Sequence, residues 1–314
     1  MCTALLYKAK NTLFGRTLDV EKDYGEEIIL IPDRFLSLSD IFTKYRILCV
    51  GKNANGYPLI FDGMNEAGLS VAGLNFPGNA EYFDIIKGKD NIPSYDLILS
   101  VLGQFDNLYD AKKYFENLNI TNEHFSDTLK TSPLHWIVAD KSGSFVVEQT
   151  KDGLFVYDNP QNVLTNNPPY PKQIENLEKF LNLSPNHKTI NQDLSFYSNG
   201  TGFLGLPGDM TSMSRFVRTV FNSKYAKRYD EEDKNIRMFF DVLGSVRQIK
   251  GTVILENGEM EFTKYTSCYD LKNKRGYFIT NKSNQTFTID FKKYRSYRTF
   301  PFPEQNEYTK IKKS

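Results

Sequence analysis

The chain is poor in the residues that build metal centres and disulfide frameworks: of 314 residues, three are cysteine and three are histidine. Cys2, Cys49 and Cys268 are too scattered for a stapled scaffold or a zinc site, and their scarcity fits a reducing compartment. His124, His135 and His187 stand too far apart in sequence to suggest metal ligands. Charge of one sign is missing too. Lys plus Arg (39) offsets Asp plus Glu (38), which argues against nucleic acid or a membrane surface and towards small-molecule partners. No run approaches the ~18 apolar residues that span a bilayer. No apolar segment precedes Cys2, as a secretory signal or a lipoprotein cleavage site would require. Repeats, low-complexity inserts and a Gly-rich phosphate loop are also lacking. The expectation from these absences is a soluble, cytoplasmic protein.

What is present suffices for a large core, with 40% apolar and 14% aromatic residues. One domain over residues 1–314 is expected, with 292–314, rich in Lys and Arg and punctuated by proline, as a solvated basic extension. Thr3–Tyr7 and Leu13–Arg16 read as a hairpin about Lys8–Thr12, and Pro58–Asp62 with Leu69–Asn75 as another. Trp136–Ala139, Phe145–Gln149, Leu154–Tyr157 and Val163–Thr165 continue the meander. Thr252–Leu255 and Met260–Tyr265 flank an Asn257-Gly258 turn. Apolar residues at three- and four-residue spacing predict helices at Tyr95–Leu102, Ala111–Leu118, Ile174–Leu183, Ser214–Phe221 and Ile236–Val246. Strand blocks and helix blocks segregate, which indicates an α+β fold of antiparallel sheets with helices on their outer faces.

Chemistry is suggested first by Cys2. Aminopeptidases remove an initiator methionine when the next side chain is small, so the mature chain is expected to begin with a thiol and an α-amine on one residue. With pKa values of ~8.5 and ~7.7–8.0, proton exchange between the two is cheap near neutrality, and the thiolate is the nucleophile. Such a thiol needs an acceptor for its amine, a cation that favours thiolate, and donors for a tetrahedral oxyanion. Arg16 and Asp19 lie at the end of the strand paired with that of Cys2, placing the first near the sulfur and the second near the amine. Asn75 and Asn166 each end a strand before a proline-bearing turn and are candidates for oxyanion donors or substrate anchors, although asparagine at such places is also ordinary turn chemistry. Cys49 and Cys268 read as buried small hydrophobes, and His135 as a structural histidine.

These residues also carry a resemblance. Met-Cys-Thr at the start, Phe-Gly-Arg-x-x-Asp at 14–19, Ala-Gly-Leu-Asn-Phe-Pro at 72–77, Val-Leu-Thr-Asn at 163–166 and Gly205-Leu206-Pro207-Gly208-Asp209 before Ser214-Arg215-Phe216 resemble the choloylglycine hydrolase family. Leu134-His135-Trp136, Val146–Gln149 and Tyr265–Cys268 match further segments, in family order to about residue 270. The family comprises bile salt hydrolases and penicillin V acylases. The resemblance implies an αββα N-terminal-nucleophile fold, an amidase that needs no metal or organic cofactor, and assembly as a homotetramer through roughly Leu183–Phe203.

It also implies Cys2 as nucleophile, Arg16 as the cation beside it, Asp19 on the Cys2 amine, Asn75 and Asn166 as oxyanion and orienting amides, and Arg215 as a second site arginine. Leu18 and Leu134 match positions lining an apolar steroid pocket. Asparagine at 75, where penicillin V acylases often carry tyrosine, points to glycine- or taurine-conjugated bile salts. Departures from the family pattern at Gly78-Asn79 and Asn281–Asn284 fall near substrate or edge positions. Penicillin V or another N-acyl amide is the alternative substrate, and a non-catalytic bile-acid-binding protein the alternative class.

Overall fold

The computed structural model describes residues 1–188, 199–304 and 306. Two antiparallel sheets lie face to face at its centre. The first runs Val163–Leu164, Cys2–Lys8, Thr12–Val20, Met260–Asp270, Arg275–Thr280, Phe287–Asp290, with Val253–Ile254 also pairing Met260–Asp270. The second runs Gly153–Asp158, Ser144–Thr150, Leu134–Ala139, Ser70–Asn75, Tyr57–Asn65, Ile47–Ala54, Glu26–Ile31, Arg298–Pro301.

Helices Tyr170–Leu177, Ser212–Tyr225 and Glu232–Gly244 join the core of the first sheet, and Leu97–Gln104 and Leu108–Tyr114 that of the second. The result is the expected αββα arrangement. Central strands are therefore covered on both faces, which is why Cys2–Tyr7 reads as unbroken burial instead of alternation. The outermost strand, Gly153–Asp158, is only half-buried.

The Cys2 and Arg16 strands form the predicted hairpin, with Cys2 opposite Leu18 and Ala4 opposite Arg16. Gly15 is required there by crowding: a Cβ on it would lie 2.0 Å from the Ser267 carbonyl oxygen on the neighbouring strand. The crossing that matters most for the site follows Asp158. Leu134–Ala139, Ser144–Thr150 and Gly153–Asp158 belong to the second sheet, but Val163–Leu164 joins the first, beside Leu5 and Ala4. Asn159 turns the chain, its Nδ2 donating to the Val163 carbonyl at 3.2 Å, and Leu6 N donates to Asn162 O at 2.9 Å. Asn166 is thereby delivered next to Cys2.

Two expectations require correction. The helix expected at Ala111–Leu118 runs instead from Leu108 to Tyr114, capped by the Asn107 side chain on Asp110 N, and Leu118 opens a short parallel strand, Leu118–Thr121. The segment from 292 is not wholly a solvated extension. Arg298–Pro301 pairs with Glu26–Ile31 as an edge strand, because Tyr294, Phe300 and Phe302 supply an aromatic face that packs on the core. Strands Glu26–Ile31, Ile47–Ala54, Arg275–Thr280 and Phe287–Asp290 had no counterpart among the predicted elements. Of the segment Leu183–Phe203, residues 189–198 lie outside the described residues.

Candidate active site

Cys2 is 1% exposed at the start of the strand that its hairpin partner and Val163–Leu164 flank. Arg16, also buried, reaches it across the hairpin: Nη2 donates to Cys2 Sγ, Nη1 to the Gly73 carbonyl and Nε to the Thr17 carbonyl at 3.1 Å. All three nitrogens are engaged, so the guanidinium is fixed in its plane. Burial acts to lower the Arg16 pKa, but the negative charge available at Cys2, Tyr265, Asp62 and Asp19 outweighs it and holds the group above its ordinary value.

Arg215 approaches from the other side, on the helix Ser212–Tyr225, whose first turn is capped by the Thr211 hydroxyl on Ser214 N. Its Nη1 donates to Cys2 O and, at 2.7 Å, to Thr3 Oγ1. Its Nη2 donates to Asn166 Oδ1 at 2.8 Å and its Nε to Met210 O at 3.0 Å. Burial lowers its pKa, offset in part by Asp19, Cys2 and Glu261. Asn166 is the hub between these groups: Oδ1 also accepts from Cys2 N at 2.7 Å, and Nδ2 donates to Asn75 O at 2.7 Å. Asn75 lines the same cavity as Cys2, and its carboxamide has no hydrogen-bond partner among the described residues.

Asp19 is buried two strand positions from Thr17. Its carboxylate accepts from Thr17 Oγ1 at 3.0 Å and Thr263 Oγ1 at 2.6 Å, while its backbone oxygen accepts from the Met1 ammonium. With Met1 attached, the Cys2 nitrogen is an amide and donates to Asn166, and the Met1 ammonium pairs with Glu261 Oε2 at 2.6 Å.

The six residues expected at the site thus meet at one end of the sandwich. Leu18 and Leu134 line a cavity of about 310 Å³ that opens over Cys2, with Val20, Ile60, Phe61, Ile98, Phe125 and Leu129 among its other apolar walls. The segments Gly56–Phe61 and Phe125–Leu134 supply much of that lining.

Sequence reasoning missed the support beneath Arg16. Asp62, fully buried on the second sheet, accepts from the hydroxyls of Tyr265, Ser267 (2.7 Å) and Tyr269 (2.7 Å), which alternate along the strand beside that of Arg16. Burial raises its pKa, with Arg16 and the three hydroxyls pulling the other way. The period-two spacing of Tyr265, Ser267 and Tyr269 was the available signal. Burial pushes the Cys49 and Cys268 thiols well up, Asp62 adding to the first and Asp270 to the second, so neither is a competing nucleophile. No group of three or more His, Cys, Asp or Glu is placed to hold a metal among the described residues, and no helix there is long and apolar enough to cross a membrane.

The family model described as linear amide C–N hydrolases, choloylglycine hydrolase family, matches residues 2–295. A bile salt hydrolase/transferase of Lactiplantibacillus plantarum is 42% identical over 92% of this chain and 92% of its own. One from Clostridium perfringens is 37% identical over 93% of each. The crystal structure of a variant conjugated bile acid hydrolase from Clostridium perfringens superposes with a TM-score of 0.92 at 34% identity, covering 99% of this chain and 100% of that one. Penicillin V acylase from Agrobacterium tumefaciens shares the fold, with a TM-score of 0.73 at 22% identity, over 93% of this chain and 87% of its own. Fold and sequence together define an amidase acting on linear C–N bonds, built as an N-terminal-nucleophile sandwich. The chain belongs to the choloylglycine hydrolase family.

Proposed function

We propose that the protein hydrolyses the amide joining a bile acid to glycine or taurine, with Cys2 as nucleophile. The observation that carries this reading is the Arg16 donor on Cys2 Sγ at the floor of an apolar cavity lined by Leu18 and Leu134. Arg16 favours the thiolate by charge and hydrogen bond. After removal of Met1, Cys2 carries a free α-amine beside Asn166, with Asp19 close by.

The sulfur attacks the amide carbonyl, and the carbonyl electron pair becomes an oxyanion received by the Asn75 carboxamide and the second N–H of Asn166 Nδ2. The α-amine, having taken the thiol proton, gives it to the leaving nitrogen as the C–N bond breaks. A thioester and free glycine or taurine result. Water then attacks the thioester, the amine accepting its proton and returning it to sulfur as the bile acid departs. Burial of the steroid stabilises the complex by ~25 cal/mol per Å² of apolar area. Asp19 holds the register of this end through Thr17 and Thr263, and Arg215 orients Asn166 and the Cys2 carbonyl.

The relatives named as bile salt hydrolases at 37–42% identity support the substrate class. Penicillin V or another N-acyl amide is the alternative substrate, and the acylase shares with this chain the fold alone. The test is release of free amino acid from glycocholate and taurocholate, and cleavage of penicillin V, under reducing conditions with Cys2→Ala as blank. Release that disappears in the variant supports the proposal, and cleavage of penicillin V alone overturns the substrate. Assembly as a homotetramer in the cytoplasm belongs to the same proposal, and a monomer mass by light scattering would remove the first of these.

A further inference from the structure

Two matched segments, Leu134-His135-Trp136 and Val146–Gln149, take no part in the chemistry above, yet both converge behind the site. His135 lies opposite Leu74 on the strand Leu134–Ala139, one residue from the Asn75–Leu134 pair. It is fully buried, and so is Glu148 on the next strand. His135 Nδ1 meets Glu148 Oε1 at 3.0 Å and Nε2 meets the Thr165 carbonyl at 2.8 Å. The Thr165 carbonyl accepts only, so Nε2 carries a hydrogen and donates to it, while Nδ1 shares a hydrogen bond with the Glu148 carboxyl. Glu148 also holds the segment beyond Asn166, accepting at 3.0 and 3.2 Å from Tyr170 N, the first backbone donor of the helix Tyr170–Leu177. One face of the His135 ring is stacked by Phe76, with centroids 4.2 Å apart and planes 5° from parallel.

The consequence lies in what these contacts bracket. Thr165 and Tyr170 are the two ends of the six-residue link that carries Asn166, and Phe76 is the residue after Asn75. Thr165 belongs to the end of the first sheet and His135 to the second, so the His135–Thr165 bond ties the two sheets at the level of the site. We propose that the buried His135–Glu148 pair is a positioning device that sets the relative placement of Asn75 and Asn166. Neither residue lines the cavity over Cys2 or hydrogen-bonds to Cys2. His135 acts on Asn75 by stacking on Phe76, and the two together hold the link that carries Asn166, His135 at Thr165 and Glu148 at Tyr170. Burying a polar pair costs more desolvation than burying apolar residues of like volume, so packing alone does not account for it.

The inference rests on Asn75 and Asn166 acting at the reacting carbonyl. Its test compares wild type, H135Q, E148Q and the apolar double variant H135F/E148L on whichever amide the wild type turns over fastest, with N166A beside them. The readouts are kcat, KM, thermal midpoint and the rate at which iodoacetamide alkylates Cys2. The pair makes no hydrogen bond to Arg16 or Cys2, so alkylation and KM should stay within about twofold of wild type. The folded double variant should lose kcat about 10- to 100-fold, the cost of misplacing a group by a fraction of an ångström to an ångström. H135Q, which keeps one N–H for Thr165, should lose less.

Near-native kcat in H135F/E148L overturns the proposal, as does a parallel fall of kcat and alkylation, which marks general loosening. If the double variant does not fold, H135Q and E148Q decide by the same criteria. Near-native kcat in N166A removes the asparagine assignment itself, whereas loss in N166A with native kcat in H135F/E148L removes only the positioning role.

Discussion

Asn166→Asp changes almost no volume and inverts one hydrogen bond. The carboxamide accepts from Cys2 N and Arg215 Nη2 through Oδ1 and donates through Nδ2 to the Asn75 carbonyl, 2.7 Å away. Aspartate keeps the first two contacts and sets an oxygen against the Asn75 oxygen. Leaving that carbonyl without its donor costs ~1–3 kcal/mol. Loss of one oxyanion donor costs ~2.7–4 kcal/mol in the chemical step. The two overlap, since both arise from the same nitrogen, so a total of about 4 kcal/mol, or about 10³-fold in kcat, is the working figure. The new carboxylate also holds the proton on the Cys2 amine, which acts in the same direction. It meets the buried Arg215 guanidinium, so the thermal midpoint should remain close to that of wild type and serve as the folding control. Steady-state kcat at pH 6–7 is the assay, with Asn166→Ala beside it. Asn166→Asp within about threefold of wild type, with an unchanged midpoint, would refute the placement of this amide at the reacting carbonyl.

Arg16→Lys keeps the charge but cannot serve Cys2 Sγ, Gly73 O and Thr17 O in one plane, so alkylation of Cys2 should slow about tenfold and kcat fall about 10²-fold. Unchanged alkylation removes Arg16 from the sulfur. Phe61→Ala, in the wall of the cavity, should raise KM for a steroid conjugate about tenfold with kcat within about threefold, because part of an aromatic side chain's ~1.5–3 kcal/mol of burial is lost. An unchanged KM places the acyl group elsewhere. Asp209, at the entry to the helix Ser212–Tyr225, is held down to about 2 by the Thr211 and Ser214 side chains. Its folded pKa is below the ordinary 3.8, so its stabilisation is present above that value and is lost as pH falls through about 2. The group is solvent-exposed, so the effect is small. The midpoint of wild type should exceed that of Asp209→Asn at pH 5–6, and the difference should vanish near pH 2. A difference independent of pH contradicts the cause given.

Much of the fold could be read from turn chemistry. Lys8–Thr12, Asn257-Gly258 and the Gly63–Gly68 segment each join antiparallel strands as their composition indicates. Strands such as Ile47–Ala54 were harder to read, because burial on both faces erases the alternation that marks a strand. Arg298–Pro301 was hidden by its basic neighbours, whose charge belongs to the exposed side of an edge strand.

Six site residues came from motifs, and the structure brings all six within one constellation. Pattern could not show that Val163–Leu164 changes sheets, since nothing local marks which sheet an edge strand joins. Nor could it show Asp62 under Arg16 or Glu148 against His135, because each partner lies on a strand distant in sequence and reads, alone, as an ordinary polar residue.

The most direct test of the account is mass spectrometry of enzyme quenched in acid during turnover of glycocholate. Active protein should show an N-terminal peptide that begins at Cys2 and carries a cholyl group on sulfur that hydroxylamine removes, with no such adduct and no turnover in Cys2→Ala. Active protein that retains Met1, or turnover that survives in Cys2→Ala without an adduct, would contradict it.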